Sequence, residues 1–119
     1  MATIRQSLEE LMSCDGAMCA AVVDSESGMM LGSTGSGLDM EIAAAANTEV
    51  IRAKIKAMRQ LGLNDVIEDI LITLGRQYHL LRPLTRKEGA FIYFVLDKGR
   101  SNLALARRKT HDVDQNLTF

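Results

Sequence analysis

The stretch GSTGSGLDMEIAAAAN, Gly32 to Asn47, places glycines directly ahead of an alanine-rich run. Loops of this kind cradle nucleotide phosphates: glycines let the backbone approach, and free N–H groups at a helix start meet the charge. Gly32 and Gly37 have the G-x-x-x-x-G spacing, but Leu38 and Asp39 follow where a phosphate loop needs Lys and then Ser or Thr. The cation for the β- and γ-phosphates and the hydroxyl for magnesium are both missing. Asp39 instead puts a carboxylate where a phosphate would sit, and Ser36 with Asp39 reads as a helix-capping pair that occupies the free donors. The loop is expected to join a strand to a helix, not to bind a nucleotide.

The remaining reactive side chains give no constellation. His79 falls in an expected strand, where a hydrogen-bonded sheet histidine is the simpler reading, and His111 lies near a polar C-terminus. Asp24 and Glu26 share a turn and Asp97 ends a strand, so turn chemistry accounts for all three. Cys14 and Cys19 have neither zinc-site nor thioredoxin spacing and are expected to be reduced thiols of a cytoplasmic protein. Met18, Met29, Met30, Met40 and Met58 read as core and interface filler. The basic groups Arg82, Arg86 and Lys87, then Arg100, Arg107, Arg108 and Lys109, have no interleaved aromatics and read as solvated edges, or at most as a surface for an acidic partner. No catalytic residue, metal ligand or cofactor site is expected, and the chain is not expected to be an enzyme.

The elements that would carry these residues follow from the pattern of apolar positions. With 119 residues, the chain suits one domain spanning 1–119, and its 47% hydrophobic content suits a single aliphatic core. A net charge of −1 gives no general attraction to nucleic acid or anionic membrane, and no run reaches the roughly 18 apolar residues of a membrane span. Thr3–Ser13 has helical spacing, with Thr3 as N-cap and Gln6 answering it. Ala17–Asp24 and Met29–Ser33 read as a hairpin across DSESG. Leu38–Leu61 is a long helix closed by Gly62. Asp65–Leu74, Gln77–Leu84 and Gly89–Asp97 form a meander, and Ser101–Gln115 is a closing helix. Short links demand antiparallel pairing, so the fold class is α+β, a five-stranded sheet with helices against it.

The long helix has more apolar surface than one sheet can cover. At about 100° per residue, Ile42, Ala46, Val50, Ala53, Ala57 and Leu61 form one stripe. Met40, Ala44, Ile51, Ile55 and Met58 form a second, with Glu41, Thr48, Glu49, Arg52, Lys56 and Arg59 in the remaining arc. Two apolar faces imply two surfaces to meet: the chain's own sheet and, on the Met40–Ile51–Ile55–Met58 side, the same helix of a second copy about a twofold axis. Asn47 and Lys54 inside that arc would set its register.

Three stretches resemble the roadblock/LC7 family, in its single-domain bacterial or archaeal form. GAMCAAVVDSESGMMLGSTG is similar to the family's first hairpin, MEIAAAANTEVIRAKIKAM to its central helix, and YFVLDKGRSNLALARRK to its last strand and closing helix. The resemblance implies a profilin-like sandwich of strand order 2-1-5-4-3, with the central helix on one face and the terminal helices on the other. It also implies dimers that pair the central helix and the third strand antiparallel. The dimer interface would then comprise Met40, Ala44, Asn47, Ile51, Lys54, Ile55 and Met58 with Ile70 and Ile72. Family members are non-enzymatic scaffolds and regulators of Ras-like GTPases, so the implied partners are a second copy and a small GTPase. Arg52, Lys56 and Arg59 are the candidate partner-binding residues. The competing reading is a small-ligand sensor of profilin-like fold, which would need a sizeable pocket between sheet and helices.

Overall fold

The computed structural model describes every residue, Met1–Phe119. The elements run α1 (Ile4–Met12), β1 (Ala17–Asp24), β2 (Met30–Gly35), α2 (Met40–Gln60), β3 (Ile70–Thr73), β4 (Gln77–Pro83), β5 (Ala90–Asp97) and α3 (Leu103–Asn116). The strands make one antiparallel sheet in the order β2-β1-β5-β4-β3. The α+β class, the strand order and the placement of the helices agree with the sequence-based expectation.

Alternation along the central strands builds the two layers. On β5, Ala90, Ile92, Phe94 and Leu96 face α1 and α3, joining Leu8, Leu11, Ala106 and Val113. Phe91, Tyr93 and Val95 face the other way, with Cys19, Ala21, Val23 and Leu81, and meet Ala44 and Ile51 of α2. A strand buried on both sides reads as an unbroken apolar run, which explains AFIYFVL. At α1, the Thr3 hydroxyl accepts from the Gln6 N–H at 3.2 Å, and the Gln6 side chain accepts from the Thr3 N–H at 2.9 Å. This closes the capping box that the sequence announces.

Several boundaries differ from expectation, each for a physical reason. β2 continues through Gly35, taking in half of the glycine-rich stretch. Gly35 has φ of +87°, and a Cβ there would strike the Met18 carbonyl and lie 2.6 Å from the Cys19 Cα. Only glycine lets the strand end press this closely on β1. The N-cap of α2 is Asp39 alone, its carboxylate accepting from the Ile42 N–H at 3.2 Å. The acid that argues against a phosphate thus fills the place of one.

β3 is four residues, not the ten of Asp65–Leu74. Its ladder begins at Ile70 opposite Leu81, just short of Pro83, which has no N–H to extend the pairing. Asp69 is held instead by Arg107 through two hydrogen bonds of 3.0 and 3.1 Å. Arg82 is not a solvated edge residue. It is buried on the α3 side, with Nε donating to the buried Asp114 carboxylate at 3.0 Å.

Candidate interaction surface

The long helix α2 has two apolar stripes, and the structure assigns them the other way round from the expectation. Ala44 and Ile51 are only 1% and 3% exposed, closed onto the sheet with Met40, Ile70 and Ile72 packed around them. The side expected to meet a partner is the sheet-facing side. Thr48 is the reason. Its hydroxyl donates to the Ala44 carbonyl at 2.8 Å, so a residue counted as polar is satisfied within the helix and buried between Ala44 and Ile51. Counting Thr48 as apolar would have marked this side as the most continuous one.

The other stripe faces outward. Ile42 is 67% exposed, Leu61 69% and Val50 36%, with Ala46 and Ala53 open between them and Ala57 half-buried. Of the remaining residues expected at an interface, Lys54 and Ile55 are exposed, while Asn47 and Met58 are half-buried. Exposed β-branched and large aliphatic residues repeated along one helix face are unusual on a chain that meets only water.

One flank of α2 is pinned. Arg52 pairs with Glu49 at 2.8 Å and donates to the carbonyls of Ser25 and Glu26, both at 2.7 Å. Gly28 comes so near that a Cβ on it would lie 3.6 Å from the Ala45 Cα. The β1–β2 turn therefore lies along the Arg52–Ala45 flank, and Arg52 is a clamp within the chain. Lys56 and Arg59 are exposed and form no ion pair within the chain. Within the turn, the Asp24 carboxyl is held below the usual carboxylate range, chiefly by the Glu26 N–H and then by the Ser27 hydroxyl.

Where the 65–69 segment bows away from β4, a surface cleft of ≈ 590 Å³ opens between Ile55, Met58, Leu63, Val66, Pro83 and Leu84. Arg59, Asp65 and Glu88 stand among its polar lining residues. This apolar cleft was not legible in the sequence, because it exists only where the end of α2 overhangs the end of β4.

Under α2, His79 Nε2 meets Gln77 Oε1 at 2.8 Å and the Tyr93 hydroxyl meets His79 Nδ1 at 2.9 Å. Gln77 Oε1 can only accept, so Nε2 carries the proton and Nδ1 receives the tyrosine's. Burial pushes the His79 imidazole down, and it pushes Tyr93 up to about 12, with Cys19 adding to the latter. The histidine is a satisfied sheet residue, as its position suggested. Cys14 and Cys19 are free thiols, both raised by burial. No helix is long and apolar enough to cross a membrane.

No protein-family model matches the chain, and no curated protein matches its sequence. Solved structures do match its fold. MglB of Myxococcus xanthus superposes with a TM-score of 0.82 at 15% identity, covering 94% of this chain and 89% of that one. The gliding protein MglB of Thermus thermophilus gives 0.82 at 16% identity, over 94% of this chain and 83% of that one. A roadblock/LC7 domain of Streptomyces avermitilis gives 0.82 at 11% identity, over 96% and 93%.

Proposed function

From the roadblock/LC7 fold of this chain, we propose that it is a dimeric, non-enzymatic adaptor. In this reading it binds and modulates a small Ras-like GTPase, or scaffolds a signalling or motility complex. The observation that carries the reading is the outward apolar stripe of α2, from Ile42 to Leu61. A surface of that kind is used by being covered, and covering it with a second copy buries it symmetrically. The description of a fold neighbour as a gliding protein supports the motility branch.

With Arg52 tied to the β1–β2 turn, Lys56 and Arg59 are the cations left to meet an acidic partner surface. The dimer face itself moves from the Ala44–Ile51 side to the Ile42–Val50–Leu61 side. The adaptor acts on the GTPase by binding one nucleotide state more tightly than the other, since equal affinity shifts nothing.

The test is capture from the source cytoplasm with the full chain as bait, followed by turnover and nucleotide-exchange assays on any GTPase recovered. The expected result is a GTPase whose turnover or exchange rate changes when the chain is added. Recovery of bound metabolites alone would favour the sensor reading, to which the cleft beside Ile55 and Leu63 lends some support. Against that reading, the space between sheet and α2 is filled by Cys19, Ala21, Phe91, Tyr93, Ala44 and Ile51.

A further inference from the structure

We propose that the corner where the β3–β4 turn meets the loop from β5 into α3 docks a short acidic segment of a partner protein. Arg76, Lys98 and Arg100 hold that segment. The corner is separate from the α2 platform and does not depend on the dimer reading.

Tertiary structure sorts the basic residues of the chain. Arg82 is paired with Asp114, Arg107 with Asp69 and Arg52 with Glu49, while Lys109 lies 3.5 Å from Glu10. The Lys87 ammonium sits 5.0 Å from the centre of the Phe119 ring. Arg108 shares a hollow with Asp15 and Asp112, and Arg86 shares a turn with Glu88. Arg76, Lys98 and Arg100 have no such company. All three are exposed, and none forms an ion pair within the chain.

The fold draws these three together from two turns distant in sequence. The Lys98 N–H donates to the Arg76 carbonyl at 2.9 Å, and the Arg100 N–H donates to the Asp97 carbonyl at 3.2 Å. Asp97 is the carboxylate of that loop, and its Oδ1 accepts from the Gly99 N–H at 2.9 Å, so it shapes the turn. On the α1 side the loop is pinned by Gly16, where a Cβ would lie 2.9 Å from the Ser101 N. The Lys98 ammonium lies 6.0 Å from the centre of the half-buried Tyr78 ring, whose face steadies it. The cations therefore stand on a braced backbone.

Clustered cations without counter-charges raise the local potential and repel one another. A carboxylate-rich segment relieves that repulsion, and the two guanidinium forks can each donate a pair of hydrogen bonds to a carboxylate. Leu74, 44% exposed in the same turn as Arg76, offers the segment an apolar neighbour. Nucleic acid is the poorer occupant, because single strands need open aromatic faces and Tyr78 is half-buried beneath Lys98. An anionic membrane is poorer too, since a chain of net charge −1 has no general attraction to it.

The corner sits at the Gln77 end of β4, whereas Arg59 lines the cleft at the Pro83 end, about 20 Å away at about 3.3 Å per residue. One chain can thus hold an acidic segment here while α2 engages another partner.

The test is fluorescence anisotropy with the full chain and a short labelled peptide in which glutamates and aspartates flank two leucines. A matched peptide carries glutamine and asparagine instead. The expected result is saturable binding of the acidic peptide and none of the amide peptide. Arg76→Glu with Arg100→Glu weakens that binding by about tenfold or more. Arg5→Glu with Arg86→Glu, an equal change of charge at exposed sites elsewhere, alters it by less than about twofold. Circular dichroism checks that each variant is folded. Where the glutamate pair fails to fold, Arg76→Gln with Arg100→Gln is read in its place. Equal loss in both double variants, or no binding of the acidic peptide to wild type, overturns the proposal. So does tighter binding of labelled oligothymidine or of phosphatidylserine vesicles that the Arg76→Glu, Arg100→Glu protein no longer shows. A wild-type monomer in sedimentation bears on the dimer reading alone.

Discussion

Burial beneath α2 pushes the His79 imidazole below the ordinary histidine value of 6.5, and its two nitrogens are committed to Gln77 and Tyr93. Protonating Nδ1 would turn the acceptor of the Tyr93 hydroxyl into a second donor. As pH falls through 6.5, the unfolded chain takes up this proton before the folded one does. The stability linked to His79 is therefore fully present above 6.5 and is lost as pH falls toward the lower folded-state value. Thermal unfolding midpoints measured between pH 8 and pH 5 should decline, and His79→Gln should flatten part of that decline. An unchanged slope in the variant would mean that the imidazole is not the linked group. The strand position of His79 was visible in the sequence, but its partners were not. Tyr93 is fourteen residues away and reaches His79 only because β4 and β5 pair in register, His79 opposite Val95.

At the scale of elements, the joint between α3 and the end of β4 is the clearest case of a contact that local pattern conceals. Asp114 accepts from Arg82 Nε at 3.0 Å, from the Thr85 N–H at 2.9 Å and from the Thr85 hydroxyl at 3.2 Å. Both members of the ion pair are buried, so removing one leaves the other desolvated and unpaired. Asp114→Ala should destabilise the fold by about 3–5 kcal/mol, read as a fall in the denaturant midpoint at constant slope. Asp114→Asn keeps an acceptor for the Thr85 N–H and should cost less. In the sequence, Arg82 stands beside Pro83, Arg86 and Lys87 and looks like part of a wet edge. It becomes a buried residue because strand alternation turns it to the face that Asp114 covers. The length of β3 escaped for a related reason: VIEDILIT has strand-like composition throughout, yet pairing starts only where β4 offers a partner.

For the molecule as a whole, the consequence to test is that α2 is apolar outward as well as inward. Ile51 is the wrong residue for that test, since it is closed onto the sheet at 3% exposure and a charge there would unfold the chain. Val50 is the right one. Val50→Glu should leave the far-ultraviolet circular dichroism and unfolding midpoint close to wild type while reducing the sedimenting species from dimer to monomer. A variant that stays dimeric would place the contact elsewhere. If a GTPase is recovered as proposed, the monomeric variant should also lose most of its effect on turnover or exchange, because in that proposal the paired helices form the platform.

The sequence by itself determined the class, the order of the elements and the capping of α1, because these depend on periodicity and on neighbours three or four positions away. It also determined that α2 has two apolar faces. Tertiary structure alone decided which face belongs to the sheet. A helical wheel treats both stripes alike. The choice turned on Thr48 satisfying its own hydroxyl and on Arg52 reaching the Ser25 and Glu26 carbonyls, which together fix the rotation of the helix on the sheet.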